Sequence, residues 1–172
     1  MGRVMVTHGE LSVIKCAVVL SVAVALATVG AASSASAATF TPSPVSNFTL
    51  SGNLTVSHPQ ASSVSCAVEM TGSIDSSGAT AVISSVAIDP GDWACGYLLT
   101  ASGTPWIVLP TSTSSVMIWM GFASPWACGG ATTAGWTNGA PSTMTFSSTT
   151  VPGSPGCSVT GTLTASHSVT IL

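Results

Sequence analysis

The stretch VSCAVEMTGSIDSSGATAVISSVAI, residues 64–88, indicates the fold of this chain. In residues 64–74 apolar side chains recur with a period of two, which is typical of a β-strand with one buried face. The residues with this spacing are Val64, Cys66, Val68, Met70 and Ile74. The segment DSSG that follows is a turn signal, and TAVISSVAI then alternates again. The stretch therefore predicts two antiparallel strands joined by a tight turn.

Similar patterns occur through the rest of the chain. FTLSGNLTV places Phe48, Leu50, Leu54 and Val56 on one face, and the last 16 residues, CSVTGTLTASHSVTIL, alternate in the same way. SVMIWMGF is more continuously apolar, which favours a strand buried on both faces. Many Ser, Thr, Val and Gly residues lower the helix propensity. These features predict an all-β fold, a single antiparallel β-sandwich or barrel.

The N-terminal segment is typical of a secretory signal peptide. Arg3 and Lys15 supply positive charge, the run from Cys16 to Gly30 is apolar, and Ala35-Ser36-Ala37 resembles a cleavage site. We therefore predict a signal peptide over residues 1–37, an extended leader over 38–46 and one all-β domain over 47–172. An uncleaved anchor is the alternative, although the apolar run is short for a membrane span. The mature protein is expected to be secreted or bound at the cell surface, with no membrane span.

Charge excludes several classes of partner. Arg3 and Lys15 are the two basic residues of the chain, so none remains after residue 37. Nucleic-acid binding depends on cations that neutralise phosphates and is excluded, and a basic patch for anionic lipids is absent too. The remaining surface, rich in hydroxyl groups and weakly charged, is prone to self-association.

Four cysteines follow the signal peptide, and an even count in a secreted chain predicts disulfides. Two of them lie in a repeated WACG sequence, at Cys95 and Cys128, whereas Cys66 and Cys157 open strand-like runs. Equal separations of 29 residues favour the pairs Cys66–Cys95 and Cys128–Cys157. The nested pairing, Cys66–Cys157 with Cys95–Cys128, stays open. The Cys and His spacing matches no zinc motif, and we expect no cofactor.

The five tryptophans supply the candidate contact residues. Trp106 in SGTPWIV and Trp136 in AGWTNG are predicted to be exposed and to contact apolar ligands. Trp119, inside the apolar run, is predicted to lie in the core. Trp93 and Trp126, the tryptophans of the two WACG sequences, are predicted to pack on the disulfides.

Catalytic and metal-binding signals are weak. Asp89 and Asp92 in IDPGDW could place two carboxylates on one turn and form a weak calcium candidate, but a solvated turn explains them equally well. His58 and His167 lie in Ser- and Thr-rich contexts without a nucleophile motif. No catalytic residue is predicted, and the chain is interpreted as a non-enzyme.

Two segments carry a family resemblance. LLTASGTPW, residues 98–106, and CSVTGTLTASHSVTI, residues 157–171, resemble the PraB-type family of secreted protein activators of alkane oxidation. The similar features are a cysteine before a strand, an ASGxPW-like segment and a terminal C-x-V-x-G-x-L strand. The resemblance implies an exported protein without established catalytic residues. It also implies a link with growth on alkanes, surface activity, and the biofilm or cell surface.

Together these observations predict a non-enzymatic protein that acts at an apolar interface, with hydrocarbon or a second copy of itself as partner. A carbohydrate-binding or adhesive cell-wall module is the alternative, and a secreted hydrolase is a third. An exposed flat apolar patch would favour the first. A Trp-lined groove with polar partners would favour the second, and a cleft joining His, Asp and Ser the third.

Overall fold

The computed structural model describes residues 37–60, 62–89, 93–123 and 127–172. All regular structure within these ranges is β-strand, which confirms the all-β prediction. The predicted signal peptide lies outside the described residues, apart from Ala37. The strands are β1 (Phe40–Thr41), β2 (Val45–Ser57), β3 (Val64–Ile74), β4 (Ala81–Asp89), β5 (Thr100–Ala101), β6 (Trp106–Ser112), β7 (Ser115–Ala123), β8 (Cys128–Thr137), β9 (Thr143–Val151), β10 (Cys157–Ala165) and β11 (Thr170–Ile171).

Eight of the strands close into an antiparallel barrel. They are hydrogen-bonded in the order β7-β6-β4-β3-β2-β10-β9-β8, and β8 pairs again with β7 along eight residue pairs. Closure removes the free edges that an open sheet would present to other chains. The barrel, rather than the sandwich, is therefore the architecture of this chain.

The two ends of the barrel differ in their covalent and terminal structure. β8 and β10 begin with Cys128 and Cys157 at one end, which we call the disulfide end. At the opposite end β1 pairs with β11, so that the first and last described segments form a two-stranded ribbon there. The first strand of this ribbon, β1, lies within the segment predicted as an extended leader, residues 38–46. β2 also begins inside that segment, at Val45.

The barrel interior is filled with side chains. The apolar rows predicted for β2 and β3 are buried, as are the inward residues of the other barrel strands. A remaining apolar void beside Leu50, Trp136 and Met144 measures about 10 Å³, no more than one water molecule needs. This part of the interior therefore offers no room for a ligand.

Two glycines allow neighbouring strands to approach closely. A Cβ atom at Gly52 would collide with the carbonyl oxygen of Thr162, and one at Gly161 with that of Asn53. Gly161 also has a φ of 145° at an irregularity in the β10–β9 register. Glycines of this kind mark bends where the sheet curves into a barrel.

Candidate functional site

An apolar face covers the outer wall of the barrel over three neighbouring strands. In the sheet register Val82 of β4 lies opposite Ile107 of β6, which lies opposite Trp119 of β7. Leu109 of β6 lies opposite Met117 of β7 in the next outward position. Trp119 is 40 % exposed, and the other four are partly buried. These five residues are called the apolar face below.

The outer wall on β2 and β10 has the opposite character. The outward residues there are Thr49, Ser51, Asn53, Thr55, Thr160, Thr162 and Thr164. The hydroxyl groups also bond across strands, as between Thr145 and Thr162 at 3.2 Å. One wall of the barrel is thus apolar while the wall that includes β2 and β10 is polar but uncharged.

The predicted exposure of Trp106 and Trp136 is wrong, because both point into the barrel and are 1 % and 4 % exposed. Trp106 packs edge-on against Phe122, with ring centroids 5.8 Å apart, and its indole N–H donates to the Ser102 carbonyl at 2.8 Å. Trp136 packs against Phe40 at the terminal ribbon and donates to the Val169 carbonyl at 3.2 Å. Both indoles close the ends of the core, so neither is free to contact a ligand.

The exposed aromatic residues are different ones. Trp119, predicted to lie in the core, is on the outer wall, because the alternation of β7 directs Val116, Ile118 and Met120 inward. Trp93, predicted to pack on a disulfide, is 79 % exposed, as is Tyr97, which the sequence reasoning did not single out. Trp126 lies outside the described residues.

Both favoured disulfides are present. Cys66 of β3 is bonded to Cys95, with Cα atoms 5.6 Å apart, and Cys128 is bonded to Cys157, at 5.9 Å. The first holds the loop that carries Trp93 and Tyr97, and the second joins β8 to β10 on either side of β9. This confirms the favoured pairing over the nested one.

The two WACG sequences have different local structures. In the first, the amides of Leu98 and Leu99 donate to the Ala94 carbonyl, and Gly96 adopts a φ of 71°. The second runs directly into β8. What they share is a cysteine at the disulfide end, so the repeated sequence does not reflect a repeated fold unit.

A shallow recess adjoins Trp119 on the outer wall. It measures about 260 Å³, and its lining includes Trp119, Ser102, Gly121, Gly129 and Gly130. Gly121 and Gly129 face each other across the β7–β8 pair, next to the pair of Trp119 and Ala131. Because these positions carry little or no side chain, backbone forms the floor. We call this the glycine recess.

Among the residues that the structure describes, histidine and carboxylate side chains do not assemble into one site. His58 lines a recess with Ser57 and Ser158 and without a carboxylate, whereas Glu69 and Asp89 line a different recess. His58 Nδ1 accepts a hydrogen bond from the Gln60 amide at 3.2 Å. The arrangement gives no support to a Ser–His–Asp triad.

The weak calcium candidate is only half described. Asp89 is exposed at the end of β4, and Asp92 lies outside the described residues. Within the described ranges, no three His, Cys, Asp or Glu side chains are grouped to hold a metal ion. Over the same residues, no helix is long and apolar enough to cross a membrane.

Comparison with known proteins identifies the family of this chain. A search of curated proteins and a search of solved structures each found no match. The family model described as alkane oxidation protein activator PraA/PraB-like matches residues 11–172, a range that includes the whole barrel, both disulfides and the apolar face. The chain belongs to the PraA/PraB-like family of alkane oxidation protein activators.

Proposed function

We propose that this chain is a secreted, non-enzymatic protein that adsorbs to hydrocarbon through the apolar face. The observation that carries the proposal is the position of that face on the outer wall, where it can meet a hydrocarbon phase without any change in the barrel. The hydroxyl-rich wall on β2 and β10 would stay in water. Membership of a family of alkane oxidation activators supports hydrocarbon as the apolar partner.

The size of the exposed surface makes adsorption measurable. Burying a whole indole removes about 150–250 Å² from water. With 40 % of its surface exposed, Trp119 presents on the order of 100 Å² to an apolar phase, equivalent to about 2 kcal/mol. That exceeds the thermal energy, about 0.6 kcal/mol, several-fold, so the loss of this one side chain should change adsorption clearly.

The test measures interfacial tension at a hexadecane–water boundary with the purified mature domain. The parent is expected to lower the tension, and the variant Trp119→Ser with Met117→Ser is expected to require a concentration about tenfold higher or more for the same effect. Leu172→Ser is the matched control, because Leu172 is 69 % exposed but follows β11 of the terminal ribbon and is not part of the apolar face. The far-UV circular dichroism of all three should be the same.

Two results would contradict the proposal. In the first, the parent lowers the tension no more than an ordinary globular protein of its size. In the second, the double variant adsorbs like the parent, which would place the active surface elsewhere. Binding of soluble cell-wall oligosaccharides instead of hydrocarbon would support the adhesive or carbohydrate-binding alternative.

A further inference from the structure

Backbone hydrogen bonds hold the glycine recess in a fixed shape. Adsorption through the apolar face would not require such a recess. The Ser102 amide donates to the Gly121 carbonyl at 2.9 Å, which ties one wall of the recess to its floor. The Ser102 carbonyl in turn accepts the buried indole N–H of Trp106 at 2.8 Å. A Cβ atom at Gly121 would lie 2.8 Å from the Ser102 hydroxyl oxygen and 3.0 Å from the Ser102 carbonyl oxygen, so a larger residue at this position would have to displace Ser102. The recess is therefore built from bonded backbone before any ligand arrives.

The side chains that line the recess are apolar, with one exception. Ser102 is its one polar side chain, beside Trp119, Met120 and the glycines. The amides of Ser102 and Gly129 are already engaged, the second with the Pro152 carbonyl at 2.7 Å. Recognition of a sugar ring requires several convergent polar groups beside the aromatic surface. This recess instead offers an indole and a floor of glycine backbone without side chains.

We propose that the glycine recess binds a single saturated alkyl chain, lying along the backbone floor and against the Trp119 indole. This inference rests on the proposed function and extends it, because it makes one part of the apolar face a stoichiometric site rather than a surface for adsorption. Continuity supports it: the recess shares Trp119 with the apolar face, so a chain could pass from one to the other.

Water-soluble linear alcohols test the site. Binding is measured by quenching of tryptophan fluorescence with 10-bromodecan-1-ol, below its solubility limit, and by competition with alcohols of six to twelve carbons. Quenching should saturate at one molecule per protein. Affinity should rise about fourfold for each added methylene and then level off once the recess is filled. Simple partition onto a surface would instead give quenching without saturation and a steady rise with chain length.

Two glycine variants locate the site. A Cβ atom at Gly129 would have only ordinary contacts, the nearest at 3.4 Å from the Gly121 Cα, so Gly129→Val should fold and fill the recess. We expect it to weaken binding of the bromoalcohol by about tenfold or more. Gly135→Val is the matched control, since Gly135 is exposed on the same strand and its nearest contact would be 3.6 Å. That variant should bind like the parent.

The outcomes separate this inference from the proposed function. Because Gly129→Val adds apolar surface, it should still adsorb to hexadecane while losing saturable binding. Saturable binding by a parent that leaves the hexadecane tension unchanged would refute the adsorption proposal and keep the recess. Unsaturable quenching, equal affinity of Gly129→Val and the parent, or displacement of the bromoalcohol by a soluble oligosaccharide would overturn the alkyl-chain site.

Discussion

Trp106, Trp119 and Trp136 point inward or outward according to their place in the alternation of β6, β7 and β8. SVMIWMGF is apolar on both faces, so its composition cannot say which row is inward, and we expected Trp119 to be buried. The outward row of that strand also contains Ser115 and Gly121, and these small residues were the signal that Trp119 lies outside. For Trp106 and Trp136 the turn-prone flanking sequences pointed to exposure. The strand that each residue enters nevertheless directs it inward, a tertiary effect that local sequence does not show.

Asp75 gives a test of local electrostatics in the β3–β4 turn. The Ser77 hydroxyl donates to Asp75 Oδ1 at 2.7 Å and the Ala79 amide donates to the same atom at 3.2 Å. The Ser77 hydrogen bond is the main cause that lowers the pKa of Asp75 below its ordinary value. Because the folded pKa is the lower one, the contribution to stability is present above the ordinary pKa and is lost as pH falls through the folded pKa.

We therefore expect Ser77→Ala to raise the pKa of Asp75 toward its ordinary value, as followed by the carboxyl carbon shift in an NMR titration. Acidification should also lower the free energy of unfolding of the variant by less than it lowers that of the parent. Ser76→Ala, an exposed neighbour in the same turn, serves as control and should titrate like the parent. An unchanged Asp75 titration in Ser77→Ala would show that the hydroxyl bond is not formed in solution.

At the level of strands, the sequence was most informative where the pattern is local. The alternating segments of β2 and β3 and the DSSG turn were predicted correctly, because each depends on neighbours within a few residues. Barrel closure depends on β10 pairing with β2, more than 100 residues earlier in the chain, and on Gly52 and Gly161 letting these two strands approach. These contacts join distant segments, so the sequence left sandwich and barrel open. The glycine recess was not predicted for the same reason, since Ser102 and Gly129 meet only in the folded chain.

The two disulfides allow a matched comparison. Each closes 29 residues, so the chain-entropy estimate is the same for both, about 3–4 kcal/mol. We expect the variants Cys66→Ala with Cys95→Ala, and Cys128→Ala with Cys157→Ala, to lose similar free energies of unfolding in urea. Their local effects should differ: the first should loosen the loop with Trp93 and Tyr97, and the second should loosen the start of β8 and β10.

Hydrogen exchange checks these local effects. Faster exchange should be confined to residues 93–99 in the first variant and should appear near residues 128–132 and 157–159 in the second. A large difference between the two unfolding free energies would mean that the simple loop-closure estimate fails here. In that case, structure retained in the unfolded chain, or strain in one native loop, would dominate the difference.

Across the part of the molecule that the structure describes, the polar surface consists mainly of hydroxyl groups rather than charged groups. No Lys or Arg follows residue 37, and the acidic residues that the structure describes are exposed. The polar wall on β2 and β10 is therefore hydrated without a strong electric field. Charge repulsion on such a molecule is too weak to keep its apolar wall away from other apolar surfaces. This suits adsorption and also favours contact between copies.

This distribution predicts that adsorption of the mature domain to hexadecane will depend little on salt. Attraction through opposite charges would weaken strongly between low and high ionic strength, because the Debye length falls from about 30 Å at 0.01 M to about 3 Å at 1 M. Burial of apolar surface has no such dependence on screening. Tension isotherms recorded in 0.01 M and 0.5 M sodium chloride should therefore nearly coincide, and vesicles of anionic lipid should bind no protein at either concentration. A large loss of adsorption in high salt would show that charge, and not the apolar face, brings the protein to the interface.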